Sequence, residues 1–517
     1  MSKKKKYIPL TLLIIFSIYC AITIGQSFDE ENHLVQGKIT FDYLFSLGEI
    51  NNSIRYREYY STLYWSLLYF VTEIFPLKYQ IEVGHLVNLT FSLAAIFGIK
   101  NVSKELFNKK IGDIVFVLLF FFPVFFGHMG INSSDIILAF GHVWIIYLIL
   151  RYLKNQNIEN KANKYVFYLA LLAALTTGIQ LLFLGSIIPI FIFFLIEIFF
   201  IKKLINKNFS RKKLFYDMVK CFIIFYVILV LFWIDVHQNI FVEPFLVLQN
   251  FFSESFKTGW PYNLINGSYY SSSNVPALYF MINFIYKSPE YILLSYLLFP
   301  FLFLNYSEFF KKKFNFFNYK ISLILLILIF PSFILHFISF PIYDGMRLFL
   351  WALPYFCILP ALTIYYLFEN LNFLQSKFML LLMSLLIIFH LFNFFSLTPY
   401  QYTYLNFLNG KIEDRYKKFE NDYWGTSIKE LVSKTNFKTD KLIKISTCGI
   451  IGDVSKYFKK KPNIEYKIVS PQVADYIIMN NRVMFYEGSI NCFDKFKGKD
   501  IASIKKNGLI LSVIRKI

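Results

Sequence analysis

Apolar runs long enough to cross a bilayer alternate with short polar segments as far as about residue 396. A spanning helix needs roughly 17–25 predominantly apolar residues. On that measure the pattern predicts eleven spans, at 7–26, 82–100, 111–127, 136–152, 165–180, 182–201, 217–236, 289–306, 320–339, 348–368 and 377–396. Two stretches need a decision. The run 61–76 is apolar and aromatic, but both its flanks belong on one side of the membrane, so it is read as helix lying at the interface within a long first loop. The run 165–201 has Glu197 as its one charge and is too long for a single span. It divides near Gly178 to Gly185 as a tight hairpin.

Beyond Leu397 the pattern changes. Residues 397–425 are aromatic and polar, as expected of an interfacial connector. Residues 426–517 read as a small α/β domain. Helical periodicity at 426–434 and 451–458 alternates with strand-like runs at 442–447, 466–469 and 476–479. A final pair, 501–505 and 509–514, turns at Asn507-Gly508, a hairpin signal. The expected fold class is therefore an α-helical polytopic membrane protein, with a transmembrane domain over 1–396 and a small α/β domain at the C-terminus.

Composition agrees with the pattern. The 517 residues are 56% hydrophobic and 21% aromatic, and the mean hydropathy is +0.49. A soluble protein could not hide so much apolar surface. The net charge of +20 would suit a nucleic-acid binder, but the lysines and arginines fall in short clusters between apolar runs. That is the distribution of cytoplasmic loops, and it excludes nucleic acid as the partner. With the N-terminus cytoplasmic, eleven spans satisfy the charge rule throughout, and the C-terminal domain lies on the extracytoplasmic, periplasmic side. Lys3 to Lys6 before an apolar run is also the opening of a signal peptide. The run is long, though, and no Ala-x-Ala site precedes Asp29, so it is read as an uncleaved first span. Cys20, Cys221 and Cys357 lie in apolar runs and read as inert core thiols. Cys448 and Cys492 fall in an oxidising compartment on this topology, where sequence alone leaves pairing open.

The polar residues that stand out then share one face. Phe28-Asp29-Glu30-Glu31-Asn32-His33 follows the first span, and acids at a membrane surface are costly and by default functional. A carboxylate there can remove the proton of an acceptor hydroxyl as a glycosidic bond forms, given a good leaving group. Capping of a span end is the alternative for Asp29 and Glu30. Asp135 follows the third span in a loop with Asn132, where it is either a helix N-cap or a second active-site acid. A divalent metal held by Asp29 and Asp135 is a further use of the same pair. Asp344 and Arg347 precede the tenth span, and an arginine fork suits a lipid phosphate. Headgroup anchoring or a mutual salt bridge would also explain them. Tyr269 and Tyr270, with Trp260, lie in a long loop whose aromatics suit sugar stacking or an interfacial belt. Asn481-Arg482 in the tail reads as structural.

These motifs, in order, resemble the dolichyl-phosphate-mannose protein mannosyltransferase-like family, glycosyltransferase family 39 of the GT-C class, closest to a bacterial branch. Asp29-Glu30 with His33 and Gly37-Lys38 resembles its first-loop motif, and Phe126-Gly127-His128 through Asn132 and Asp135 its second. Gly267 to Tyr270, Pro276 and Lys287-Ser288-Pro289-Glu290 resemble its long loop. Tyr343-Asp344-Gly345 with Arg347 resembles the motif before span ten. Pro399-Tyr400-Gln401-Tyr402-Tyr404-Asn406 and Asp422-Tyr423-Trp424-Gly425 resemble the entry to the tail. Two positions depart from the branch. Asn132-Ser133-Ser134-Asp135 stands where Asn-Pro-Lys-Asp is usual, and Leu348 stands where a histidine often follows the arginine. The resemblance implies an inverting hexosyl- or pentosyltransferase with a polyprenyl-phosphate sugar as donor. The acceptor would be a lipid, glycan or protein at the outer face. Asp29 would be the catalytic acid/base residue, assisted by Asp135 and Glu30. Arg347 and Asp344 would serve the donor phosphate, and His33, Asn132, Tyr269 and Tyr270 the sugar or acceptor. A transporter of lipid-linked sugars would instead place charges mid-span or break paired helices, and few such charges occur. A non-catalytic relative is the third reading.

Overall fold

The computed structural model describes residues 8–50, 60–254, 259–337, 341–437, 442–449, 454–459, 461, 464–484 and 490–517. Among these, seven helices are long and apolar enough to cross a membrane: Leu77–Leu106, Asp135–Asn155, Glu159–Ile179, Phe183–Ile201, Arg211–Leu231, Phe317–Leu335 and Leu374–Ser396. Two more pass only as bent pairs, Ile8–Thr23 with Phe28–Phe45 at 86° and Glu290–Asn305 with Ser307–Lys313 at 84°. The chain is an integral membrane protein. The remaining expected spans, 111–127 and 348–368, are occupied by shorter pieces. α5 (Lys109–Phe120) and α6 (Pro123–His128) are separated at Phe121-Phe122. The reason is Pro123, which forces Phe122 into an extended backbone (ψ 110°) and restarts the helix with itself in the first turn. The other is divided into Leu353–Phe356 and Ile358–Glu369.

The described parts of the first loop, 27–50 and 60–79, are largely helical. α1 (Ile8–Thr23) ends, the chain turns, and α2 (Phe28–Phe45) begins behind Ser27. Its first turn carries Asp29, Glu30 and Glu31, which suits the positive end of the helix dipole. Glu30 also reaches back, its Oε2 accepting from the Ser27 amide at 2.5 Å, as one half of a capping box does. α2 packs on α3 (Leu63–Glu73), the helix expected at the interface. Contact is close because Gly37 has no side chain: a Cβ there would stand 2.1 Å from the Trp65 carbonyl oxygen. Thr62 Oγ1 donates to Thr40 Oγ1 at 2.6 Å beside it. α4 (Gln80–Leu106) and α7 (Asp135–Asn155) pack along one another behind this ledge.

A small hairpin, β1 (Tyr262–Ile265) with β2 (Ser268–Ser271), lies between the membrane helices and the tail, where Ile265 bridges to Phe419. The tail carries a five-stranded sheet, order β4-β3-β5-β9-β8. Its strands are β3 (Ile443–Cys448), β4 (Tyr466–Ile468), β5 (Tyr476–Asn480), β8 (Lys499–Lys506) and β9 (Leu509–Lys516), and β6 (Val483–Met484) pairs separately with β7 (Ile490–Asn491). β3, β4 and β5 run parallel, and β9 is antiparallel to both β5 and β8. The β8–β9 turn falls at Asn507-Gly508 as expected, both with positive φ (48° and 82°) as a type I′ turn requires. Ile477, Ile478, Val513 and Ile514 are buried in the sheet. The helix Ile428–Lys434 covers it, Ser455–Phe458 is the short helix of the second helical segment (450–453 lie outside the described residues), and Cys448 and Cys492 form a disulfide.

Candidate active site

Asp29 and Glu30 are neighbours in the first turn of α2, about 100° apart around its axis, so they face different surroundings. Glu30 turns inward: its Oε1 lies 2.8 Å from Nε2 of the buried His85, whose Nδ1 is 2.6 Å from the Ala21 carbonyl. Ser27 Oγ donates to the Ile131 carbonyl at 3.0 Å. Glu30 thus ties the α1–α2 break to α4. The Asp29 carboxylate goes the other way, to Nη1 of Arg347 at 3.2 Å.

Asp135 reaches the same arginine. The loop His128–Ser134 is shaped by Asn132, whose Oδ1 accepts from the Ser134 and Asp135 amides at 3.0 and 2.8 Å. Its Nδ2 donates to Asp135 Oδ2 at 3.1 Å. Ser134 occupies the N-cap position and Asp135 is the first helical residue. The acid is therefore not the cap, and its carboxylate is free to lie 3.4 Å from Arg347 Nε. His33 supports this loop from α2: its Nδ1 is 2.7 Å from Ser133 Oγ, and its ring stacks on Trp65 at 4.2 Å. The indole of Trp65 donates to the Ser133 carbonyl at 2.9 Å.

The third acid is Asp344. It sits at φ 63° with Gly345 at φ 65°, a turn that an aspartate tolerates better than most residues. Its Oδ2 accepts from Arg347 Nη1 at 2.9 Å. The Arg347 guanidinium thus meets three carboxylates brought by α2, α7 and the 343–347 turn, and its Cζ lies over the Tyr343 and Trp424 rings, 5.1 and 5.0 Å from their centroids. Burial works against the charge of Arg347, but Asp344, Asp135 and Asp29 outweigh it and hold the group firmly cationic. Exposure separates the acids. The Asp29 side chain is 25% exposed, against 7% for Asp135 and 1% for Asp344. Of the three, Asp29 is the most open to its surroundings.

A second cation lies behind the first. Arg482, on the tail just after β5, is fully buried and donates to Asp344 Oδ1. Its Nη1 is 3.4 Å from Glu420 Oε1, and its guanidinium stacks on Trp260 at 4.6 Å. Burial raises the Glu420 carboxyl above the usual range, against the pull of Arg482. Nearby Lys287 is pushed down to about 8 by burial, against the pull of Glu420 and Asp344. Sequence reasoning passed over Glu420 and read Arg482 as structural. The available signal was indirect: Glu420 stands two residues before the Asp422-Tyr423-Trp424-Gly425 motif, and Arg482 follows a strand buried at four of its five positions.

Tyr269 and Tyr270 lie on β2. Among the described residues no hydrogen bond or ring contact joins either to Asp29, Asp135, Asp344 or Arg347; Tyr269 is hydrogen-bonded instead to the Asn491 backbone of the tail. His128 is buried, its Nε2 2.7 Å from the Tyr423 hydroxyl. For a metal the fit is poor. Among the described residues no three His, Cys, Asp or Glu side chains gather as ligands, and Asp29 and Asp135 both face the Arg347 guanidinium.

No family model and no curated protein matches this chain. Solved structures do. The chain is similar to ArnT from Cupriavidus metallidurans, in the apo state and bound to undecaprenyl phosphate, at 10% identity and TM-score 0.49 over 99% of this chain and 98% of that one. It is similar to the oligosaccharyltransferase of Archaeoglobus fulgidus at 12% identity and TM-score 0.48, over 93% of this chain and 70% of that one.

Proposed function

We propose that this chain is a membrane-embedded inverting glycosyltransferase of the GT-C class, with Asp29 as its base. The observation that carries the reading is the meeting of Asp29, Asp135 and Asp344 on Arg347, with Asp29 alone partly open. Three acids placed far apart in the chain and drawn to one arginine at a membrane surface are costly to assemble by charge burial alone. The order of motifs that resembles family 39 supports the same reading. The donor is a sugar on a polyprenyl phosphate, and the acceptor is a hydroxyl of a lipid, glycan or protein at the outer face of the cytoplasmic membrane.

Asp29 takes the proton of the acceptor hydroxyl as that oxygen bonds to the anomeric carbon. The bond from that carbon to the phosphate oxygen breaks, and the lipid phosphate leaves with the electron pair. Inversion follows from attack opposite the leaving group. Arg347, buried and lying over the Tyr343 and Trp424 rings, turns N–H donors from the carboxylates to the phosphate when the donor binds. Asp344, held from behind by Arg482, keeps that fork in place. Asp135 orients the guanidinium and, with Asn132, the edge of the acceptor pocket. Glu30 acts at one remove, by fixing the turn that presents Asp29.

The test is Asp29→Asn in nanodiscs with a radiolabelled polyprenyl-phosphate sugar. Transfer should fall by about 10²–10⁴ while donor binding is retained. Undiminished transfer would remove Asp29 from the mechanism. Movement of donor between leaflets without product, in the wild type, would identify a transporter instead.

A further inference from the structure

Away from the carboxylate cluster, a cleft of about 610 Å³ opens where α1 meets the tail. Tyr19 and Thr23 form its membrane-side wall, and Lys429, Lys434, Lys461 and Lys506 project from the tail. Glu430 is the one acid in the lining. That carboxylate is oversubscribed: it takes Lys434 at 2.5 Å, Lys506 at 3.4 Å and the Tyr400 hydroxyl at 2.9 Å. Lys429 is spent on the end of α1, where its Nζ lies 3.5 and 3.4 Å from the Ile22 and Ile24 carbonyls, and on Glu82, whose Oε1 is 3.4 Å away. With Lys429 paired to Glu82 and Glu430 shared between Lys434 and Lys506, two positive charges stand in excess within one cleft. Among the described residues none of these lysines pairs with Asp29, Asp135 or Asp344.

The level of the cleft indicates what would balance them. α1 exposes Ile15, Ile18, Tyr19 and Ile22, with Tyr19 at 54%, an apolar surface suited to acyl chains. The cleft stands at the end of that helix, where headgroups lie. Compact ammonium groups on flexible stems suit a phosphate as point charges, and basic residues beside a membrane attract anionic lipid. We propose that this cleft binds the phosphate of an anionic phospholipid headgroup, in the leaflet on the tail-domain side, and so fastens the tail to the membrane beside α1. The site lies outside the proposed reaction.

The experiment uses the full chain, purified in detergent and titrated with fluorescent phosphatidylglycerol or phosphatidylcholine. Phosphatidylglycerol should bind more tightly. Surface attraction near a membrane amounts to roughly fivefold per lysine, so K434Q/K506Q should weaken phosphatidylglycerol by about 25-fold, and K434R/K506R should bind as wild type does. Glu430→Gln keeps all four lysines and should bind about fivefold more tightly, a gain that damaged folding does not produce. Equal affinity for the two lipids, or an unchanged affinity in K434Q/K506Q, overturns the proposal. If inorganic phosphate protects the protein from heat through Lys434 and Lys506 while phosphatidylglycerol does not bind, the occupant is soluble phosphate and the lipid assignment falls.

Discussion

Arg347 shows how much one side chain decides here. It holds three carboxylates at 2.9–3.4 Å through Nη1 and Nε, a spread over two nitrogens of one rigid plane that the single nitrogen of an ammonium does not reproduce. Arg347→Lys is therefore expected to abolish most transfer, by about 10²-fold or more as for loss of a charge-stabilising donor. Retention of wild-type transfer by the lysine variant would show that charge alone suffices. Lys287 offers a test by pH. Its folded value of about 8 lies below the ordinary 10.5, so between those values the unfolded chain carries a proton that the folded chain has lost. Unfolding takes that proton up, and this group's contribution to stability rises with pH across the window. Below about 8 both states are charged and the full cost of burying the ammonium remains. The thermal unfolding temperature of wild type relative to Lys287→Met should therefore climb as pH rises from about 8. A falling difference would contradict the assignment.

At the scale of elements, the site depends on close backbone approaches. α2 can present Asp29 because Gly37 lets α3 lie against it, and a Cβ there would be 2.1 Å from the Trp65 oxygen. Gly37→Ala should cost ~1–3 kcal/mol by overpacking, read as a lowered unfolding temperature, and should lower transfer by displacing α2. α2 also marks a limit of sequence reading. Its apolar residues are interrupted by Asp29, Glu30, Glu31, Lys38 and Asp42, so it looked like loop. Its helicity comes from the capped first turn and from α3, a partner that periodicity cannot name. The expected helix over 61–76 and the Asn507-Gly508 hairpin were legible because each rests on local chemistry. The break before Pro123 was legible in principle, since the residue before a proline is driven out of the helix, but the surrounding apolar run hid it.

On the scale of the whole molecule, the tail is wired to the membrane site. Arg482 is buried against Asp344, and Asp344 bonds Arg347. Arg482→Gln leaves a buried carboxylate short of a partner, a loss of about 3–5 kcal/mol. It should lower both the unfolding temperature and transfer, and wild-type values for both would separate the tail from the site. The Cys448–Cys492 disulfide closes a loop with a sequence separation of 44, and C448S/C492S should cost roughly 2–4 kcal/mol by the same measurement. Because Arg347 lies where a cation would bridge Asp29 and Asp135, transfer in EDTA should equal transfer with added magnesium or manganese. Restoration by metal after EDTA loss would refute that arrangement.

What the sequence determined by itself is what local chemistry and solvent preference can decide. The apolar runs required a membrane, the lysine clusters suggested an orientation, and alternating runs with an Asn-Gly turn outlined the tail sheet. Asp29, Asp135, Asp344 and Arg347 could each be singled out, because a charge at a membrane surface is conspicuous wherever it stands. Their partners were not legible. That Asp29 and not Glu30 meets Arg347 depends on the angle between adjacent helical residues once α2 is docked. That Arg482 belongs to the same network depends on the tail folding back over the 343–347 turn. Both are contacts between residues more than a hundred positions apart, and only the tertiary structure, by deciding which charges are buried together, could assign them.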